Sequence, residues 1–109
     1  MHAPYSYDGP DDQRLPIEQA LRRVVDPEVA LTIVDVGLVY GVAVTPDSVQ
    51  VTMTMTSAAC PVTDLILDEV GAELDRIAPP GAAVDVRLVW EPPWTPERMS
   101  PRAKAFMGW

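Results

Sequence analysis

VQVTMTMTSAACPVTDLILDEVGAELDRIA, residues 49–78, changes its hydrophobic period once, and the change falls at Cys60-Pro61. Before it, Val49, Val51, Met53 and Met55 alternate strictly with Gln50, Thr52, Thr54 and Thr56, the two-residue period of a half-buried strand. After it, Val62, Leu65, Ile66, Val70, Leu74 and Ile77 fall on one stripe of a helix over about residues 61–78, with Asp64, Asp68, Glu69, Glu73 and Asp75 largely off it. Pro61 suits a first helical position, and Pro79-Pro80-Gly81 ends the helix. A strand that runs through a loop into a long amphipathic helix is the centre of an α+β domain.

On the N-terminal side, Leu38, Tyr40, Val42 and Val44 form a second alternating run. Thr45-Pro46-Asp47-Ser48 is a turn, so the two runs predict an antiparallel hairpin. Upstream lies DPEVALTIVDVGLV, residues 26–39. Thr32 and Asp35 have capping-box spacing, with Asp in place of Glu, and Gly37 suits a left-handed helix end, so a single capped turn is expected over about residues 32–36. Ile17, Ala20, Leu21, Val24 and Val25 share one helical face, which predicts a first helix from about Pro16 to Val25, stopped by Pro27. Residues 1–14, with Pro4, Asp8, Gly9 and Pro10, read as a flexible lead-in to a single domain over 15–109.

On the C-terminal side, Val84, Val86, Leu88 and Trp90 predict a third strand over about residues 83–90. The segment beyond holds Pro92, Pro93, Pro96 and Pro101, and Ser100-Pro101 predicts a capped short helix burying Phe106 and Met107. The expected architecture is a small two-layer α+β domain. Its order is helix, strand, strand, helix, strand and a short C-terminal helix, with the helices on one face of a mixed sheet.

Composition excludes several function classes. Eight basic and 16 acidic residues give a net charge of −8, which disfavours nucleic acid as a partner. No apolar run approaches the roughly 20 residues needed to cross a bilayer, and residues 1–15 carry no signal-peptide pattern, so no membrane association is expected. The single cysteine cannot form an internal disulfide, and a cytoplasmic protein is the expectation. The only histidine is His2, in the lead-in, so a thiol enzyme lacks a folded base and no catalytic residue is assigned.

Cys60 is the candidate metal ligand. At the start of a long helix, free N–H groups and the helix dipole favour thiolate, the form that ligates metal. The alternative is a small buried hydrophobe at a helix end. Thr54, Thr56 and Ser57 place hydroxyls beside the same loop, on or just beyond the hairpin's polar face, where strand propensity is the competing explanation. Asp26, Glu28, Asp35 and Glu91 are acidic candidates that can support a metal, bind a basic partner or, for Asp35, cap a helix. Trp90, Trp94 and Trp109 lie in a proline-stiffened tail, suited either to partner binding or to covering the domain's own sheet.

Three stretches in order, DPEVALTIVDVGLVY, VTMTMTSAACP and VRLVWEPPWTPERMS, closely resemble a family of metal–sulfur cluster assembly factors with SufT-like and PaaD-like members. The resemblance spans about residues 15–109. It implies a small α+β domain, a frequent homodimer and a role in maturing iron–sulfur proteins. The family's motif cysteine falls on Cys60, its acidic positions on Asp26, Glu28 and Asp35, and its hydroxyl pair on Thr56 and Ser57. PaaD-like members usually carry a further cysteine cluster, which is absent here, so the SufT-like branch is expected. A cluster usually takes four thiolates, so one cysteine per chain implies a labile iron–sulfur cluster or iron ion, or none at rest. The implied partners are iron–sulfur assembly proteins and client apoproteins. The alternative is a non-metal adaptor that docks them through the acidic loop and the Trp-rich tail.

Overall fold

A computed structural model describes residues 5–27, 30–56, 60–78 and 80–108, with Cys60 to Val62 given by backbone alone. The chain runs β1 (Ser6–Asp8), α1 (Asp11–Leu21), β2 (Val25–Asp26), β3 (Leu31–Thr32), α2 (Ile33–Val36), β4 (Val39–Thr45), β5 (Ser48–Met53), α3 (Cys60–Ile77), β6 (Ala83–Leu88), a 3-10 turn (Pro96–Arg98) and α4 (Pro101–Met107). Four strands form a mixed sheet in the order β1-β4-β5-β6. The β4–β5 hairpin is antiparallel, whereas β1 runs parallel to β4 and β6 parallel to β5. The fold is the expected mixed α+β domain.

One face of the sheet is apolar because the two-residue period is kept: Val42, Val44, Val49, Val51 and Met53 are all buried. They share a core with Ile17, Ala20 and Leu21 of α1 and with Ile66, Val70 and Leu74 of α3. Leu21 and Leu74 are wholly buried, and truncating either to Ala removes about 2–5 kcal/mol of stability.

The first helix starts at Asp11 and ends at Leu21, earlier at both ends than its apolar face predicts. Pro16 lies inside it, while Asp11 and Asp12 in the first turn complement the helix dipole. Val24 remains in the core, but Val25 belongs to β2 and is exposed. β1 answers to no sequence expectation; three residues are too few to show a period.

Tyr40 leaves the face expected for it. A register shift between Val39 and Gly41 lets Val39 oppose Met53 and Gly41 oppose Thr52, so Val39 enters the core and Tyr40 turns outward. The β5 alternation stops at Met53, and Thr54 and Met55 are both buried beyond it. β6 ends at Leu88, two residues short of Trp90. In α4 the Ser100 cap forms as expected, but Ala103 is the buried residue and Phe106 is exposed.

Candidate functional site at one end of the sheet

The register opposes Val39 to Met53 and Met53 to Leu88, so β4 begins where β5 and β6 end. Three connections therefore meet at this end of the sheet. The α2 turn feeds β4, the segment from Thr54 leads to Cys60 and α3, and β6 releases the chain at Trp90 and Glu91. Backbone hydrogen bonds stitch them together: Thr54 donates to Leu38 at 2.8 Å, and Val89 donates to Met53 at 2.8 Å. Cys60 is the first residue of an 18-residue helix, at its positive end.

The α2 turn is built as its sequence dictates. The Thr32 hydroxyl accepts from the Asp35 N–H at 3.1 Å, which caps the turn, and donates to Asp35 Oδ2 at 3.2 Å, so the carboxylate closes on the hydroxyl rather than on the Thr32 N–H of a full capping box. Gly37 ends the turn at φ +83°. Asp35 Oδ1 also accepts from the Ser100 hydroxyl at 3.0 Å and from Arg22 at 3.4 Å. The Ser100 N–H donates to the Asp35 carbonyl at 2.8 Å, and the Ser100 hydroxyl caps α4 by accepting from Ala103. Asp35 thus ties α1, α2 and the tail together with its carboxylate buried, which is the capping role rather than an open ligand position.

The tail folds onto this turn. Trp94 Nε1 donates to the Val36 carbonyl at 2.8 Å, and Arg98 Nε donates to the Gly37 carbonyl at 3.2 Å. The Arg98 guanidinium stacks 4.0 Å from the Tyr40 ring centroid, and the Tyr40 hydroxyl donates to the Pro92 carbonyl. A Cβ on Gly37 would lie 2.2 Å from the Arg98 carbonyl oxygen, so only glycine admits the tail here. Trp94 is therefore anchored in its own domain, whereas Trp90 is 47% exposed at the end of the sheet.

Of the remaining candidates, Asp26 is buried in β2, where its carbonyl accepts from the Ala30 N–H at 2.8 Å. Thr56 is half-buried and Glu91 exposed. Glu28, Ser57 and Trp109 lie outside the described residues. Among the described residues no three His, Cys, Asp or Glu side chains assemble as a metal-binding group. Thr54 departs from expectation: it is fully buried rather than on the polar face, and its hydroxyl has no hydrogen-bond partner among the described residues. An orphaned buried hydroxyl is uncommon and calls for a reason. Arg22, Tyr40 and Arg98 carry no local sequence signal for their positioning roles, since each acts across more than ten residues.

The sequence profile of the iron–sulfur cluster assembly protein family matches residues 16–86, which include Cys60 and the whole α2 turn. This chain belongs to that family. It is 44% identical over 90 residues to the Fe-S protein maturation auxiliary factor YitW of Bacillus subtilis, covering 82% of this chain and 87% of the relative. It is also 44% identical over 86 residues to the Fe-S protein maturation auxiliary factor SufT of Staphylococcus aureus, covering 78% of this chain and 97% of the relative. The crystal structure of a domain of unknown function from Bacillus anthracis superposes with a TM-score of 0.77 at 40% identity, covering 84% of this chain and 88% of that one. The SufT-like resemblance and the α+β fold both stand. The family match stops at Val86, so the tail that pins α2 lies beyond it.

Proposed function

We propose that this protein is an accessory factor in iron–sulfur cluster assembly, and that Cys60 is a transient ligand of the cluster or metal it hands to client apoproteins. The cluster is cargo, not a resident cofactor. The observation that carries this reading is the position of Cys60. It is the chain's only thiol, at the first residue of an 18-residue helix, at the end of the sheet where the α2 turn and Thr54 also lie. Backbone N–H groups of that first turn favour thiolate, and a single thiolate binds cargo weakly enough to release it. Thr54, Thr56 and Ser57 are hydroxyl donors for the bound sulfurs, with Asp26, Glu28 and Glu91 as flanking acids. Asp35 supports the site by holding the turn. The role is accessory rather than catalytic, in a cytoplasmic setting, with assembly proteins and client apoproteins as partners. No helix among the described residues is long and apolar enough to cross a membrane.

An adaptor reading, in which the protein docks partners without holding cargo, draws on the exposure of Trp90 at the same end. Transfer separates the two. A purified donor and an apoenzyme that needs a cluster are mixed with wild type, Cys60→Ser or Trp90→Ala, and recovery of client activity is timed. The ligand reading expects Cys60→Ser to abolish the acceleration. An adaptor keeps it in Cys60→Ser and loses it in Trp90→Ala.

A further inference from the structure

Every backbone carbonyl from Ile33 to Leu38 has a donor, and half of the donors come from the tail. Ile33 accepts from the Leu38 N–H at 3.0 Å and Val34 from the Gly37 N–H at 3.1 Å, both within the turn itself. The next three carbonyls reach outside it. Asp35 accepts from the Ser100 N–H at 2.8 Å, Val36 from Trp94 Nε1 at 2.8 Å and Gly37 from Arg98 Nε at 3.2 Å. The last, Leu38, accepts from the Thr54 N–H at 2.8 Å. Consecutive carbonyls are thus shared between the tail and the strand end that leads, six residues on, to Cys60. Val36 and Leu38 are buried, so a carbonyl that loses its donor there must shift to find another. The tail itself is lightly held. Among the described residues Met99 and Ala103 are its only fully buried apolar side chains, neither belongs to the main core, and Trp94 is half-buried. Segments held mostly by hydrogen bonds, with little apolar burial, open well below the free energy of global unfolding.

We propose that the tail over residues 92–103 is a latch on the Cys60 site, with Trp94 and Arg98 as positioning residues that act through α2 on Thr54. Closed, the latch fixes the carbonyls of Asp35, Val36 and Gly37, and with them Leu38. The Thr54 N–H then keeps its bond, and the chain leaving β5 is held against the start of β4. Open, three carbonyls turn to water and Leu38 loses its fixed direction. The connection from Thr54 to Cys60 slackens, and cargo held by one thiolate loses its positioned surroundings and leaves. The latch therefore sets when cargo is released, not whether it binds. Arg98 has a second hold: its guanidinium stacks on Tyr40, whose hydroxyl donates to the Pro92 carbonyl. Residues 92–100 are cross-tied in this way and open together, instead of fraying from α4. The consequence for cargo rests on the reading of Cys60 as its ligand, whereas the path from Trp94 to Thr54 stands on the fold alone.

Four full-length proteins test it: wild type, Trp94→Phe, Arg98→Met and Phe106→Ala. Trp94→Phe keeps a ring but has no donor for Val36, and Arg98→Met keeps a chain of similar length but has no donor for Gly37. Phe106 is exposed on α4 and is the control. Amide exchange followed by NMR reads the Thr54 N–H. Alkylation by iodoacetamide reads the bare Cys60 thiol, and absorbance after adding an iron chelator to reconstituted protein reads cargo lifetime. Trp94→Phe and Arg98→Met should each speed Thr54 exchange about tenfold, the loss of one hydrogen bond, while Val70 in the core of α3 keeps its rate. Both should also speed alkylation and shorten cargo lifetime roughly threefold, because the slackened segment opens more often. Phe106→Ala should match wild type throughout. Unchanged Thr54 exchange in both donor variants overturns the proposal. So does an equal rise at Val70, which is general destabilisation, or faster exchange that neither alkylation nor cargo lifetime follows. A wild type that takes up no cargo refutes the ligand reading alone, and exchange with alkylation then decides the latch.

Discussion

Replacing Thr54 by Val should make this protein more stable. The two side chains have nearly the same shape, so the exchange turns one buried hydroxyl into a methyl without opening a cavity. Thr54 is 0% exposed and its hydroxyl has no partner among the described residues. Leaving such a group unsatisfied costs about 1–3 kcal/mol. The methyl contributes roughly 0.8 kcal/mol of apolar burial. Taking the low end of the first range, because the unfolded chain is partly compact, the expected gain is about 1–2 kcal/mol. In urea this moves the unfolding midpoint up by about 1 M at the slope typical of small domains. Thr54→Ser keeps the hydroxyl, loses a buried methyl and should fall by about 1 kcal/mol. Equilibrium urea unfolding followed by circular dichroism reads all three proteins. If the hydroxyl is retained for the site, Thr54→Val should also lose cluster yield on reconstitution while gaining stability, and Thr54→Ser should keep the yield. A Thr54→Val protein less stable than wild type by 1 kcal/mol or more would show that the hydroxyl makes a stabilising bond, and the reasoning fails.

Gly37→Ala forces a side chain into the left-handed region and onto the Arg98 carbonyl, so about 2–3 kcal/mol should be lost and the tail should open; limited proteolysis within residues 92–108 should accelerate, and an unchanged rate would contradict the anchoring described for Trp94 and Arg98. Asp35→Ala removes the acceptor shared by Thr32, Ser100 and Arg22 and should cost about 2–4 kcal/mol by urea unfolding, with Asp35→Asn in between. Burial, reinforced by the neighbouring Glu18 carboxylate, pushes the Tyr5 phenol well above its ordinary value of 10.0. The folded state therefore holds the proton more tightly than the unfolded chain. That contribution is complete below pH 10 and is lost as pH rises through the folded value. Tyr5→Phe should flatten the alkaline limb of the stability profile, and an unchanged limb would count against the buried contact with Glu18.

What was legible in the sequence was what short-range chemistry decides. Thr32, Asp35 and Gly37 spell out their turn because cap, partner and left-handed end lie within six positions. The hairpin follows from alternation on both sides of Pro46-Asp47, and α3 from the change of period at Pro61. Pro16 misled because a proline is at home at a first helical position, whereas here it is carried inside a helix that Asp11 and Asp12 begin. Tyr40 misled because a bulge moves one residue across the sheet without altering the sequence pattern. Thr54 looked like its neighbour Thr52 because the ladder ends between them, at Met53. Of the site, Cys60 and the hydroxyls beside it could be named in advance. The contacts from Arg22, Trp94, Arg98 and Ser100 onto α2 join distant parts of the chain, and no local pattern announces them.

The central claim, that Cys60 is a ligand of iron–sulfur cargo, is tested most directly by anaerobic reconstitution with iron and sulfide. Wild type and Cys60→Ser are treated in parallel, and bound iron and sulfide per chain are measured with the visible spectrum. The account predicts equal iron and sulfide on wild type, with sulfide-to-iron absorption, and neither on Cys60→Ser while its circular dichroism stays native. Equal loading of both proteins, or no loading of a folded wild type, would contradict it.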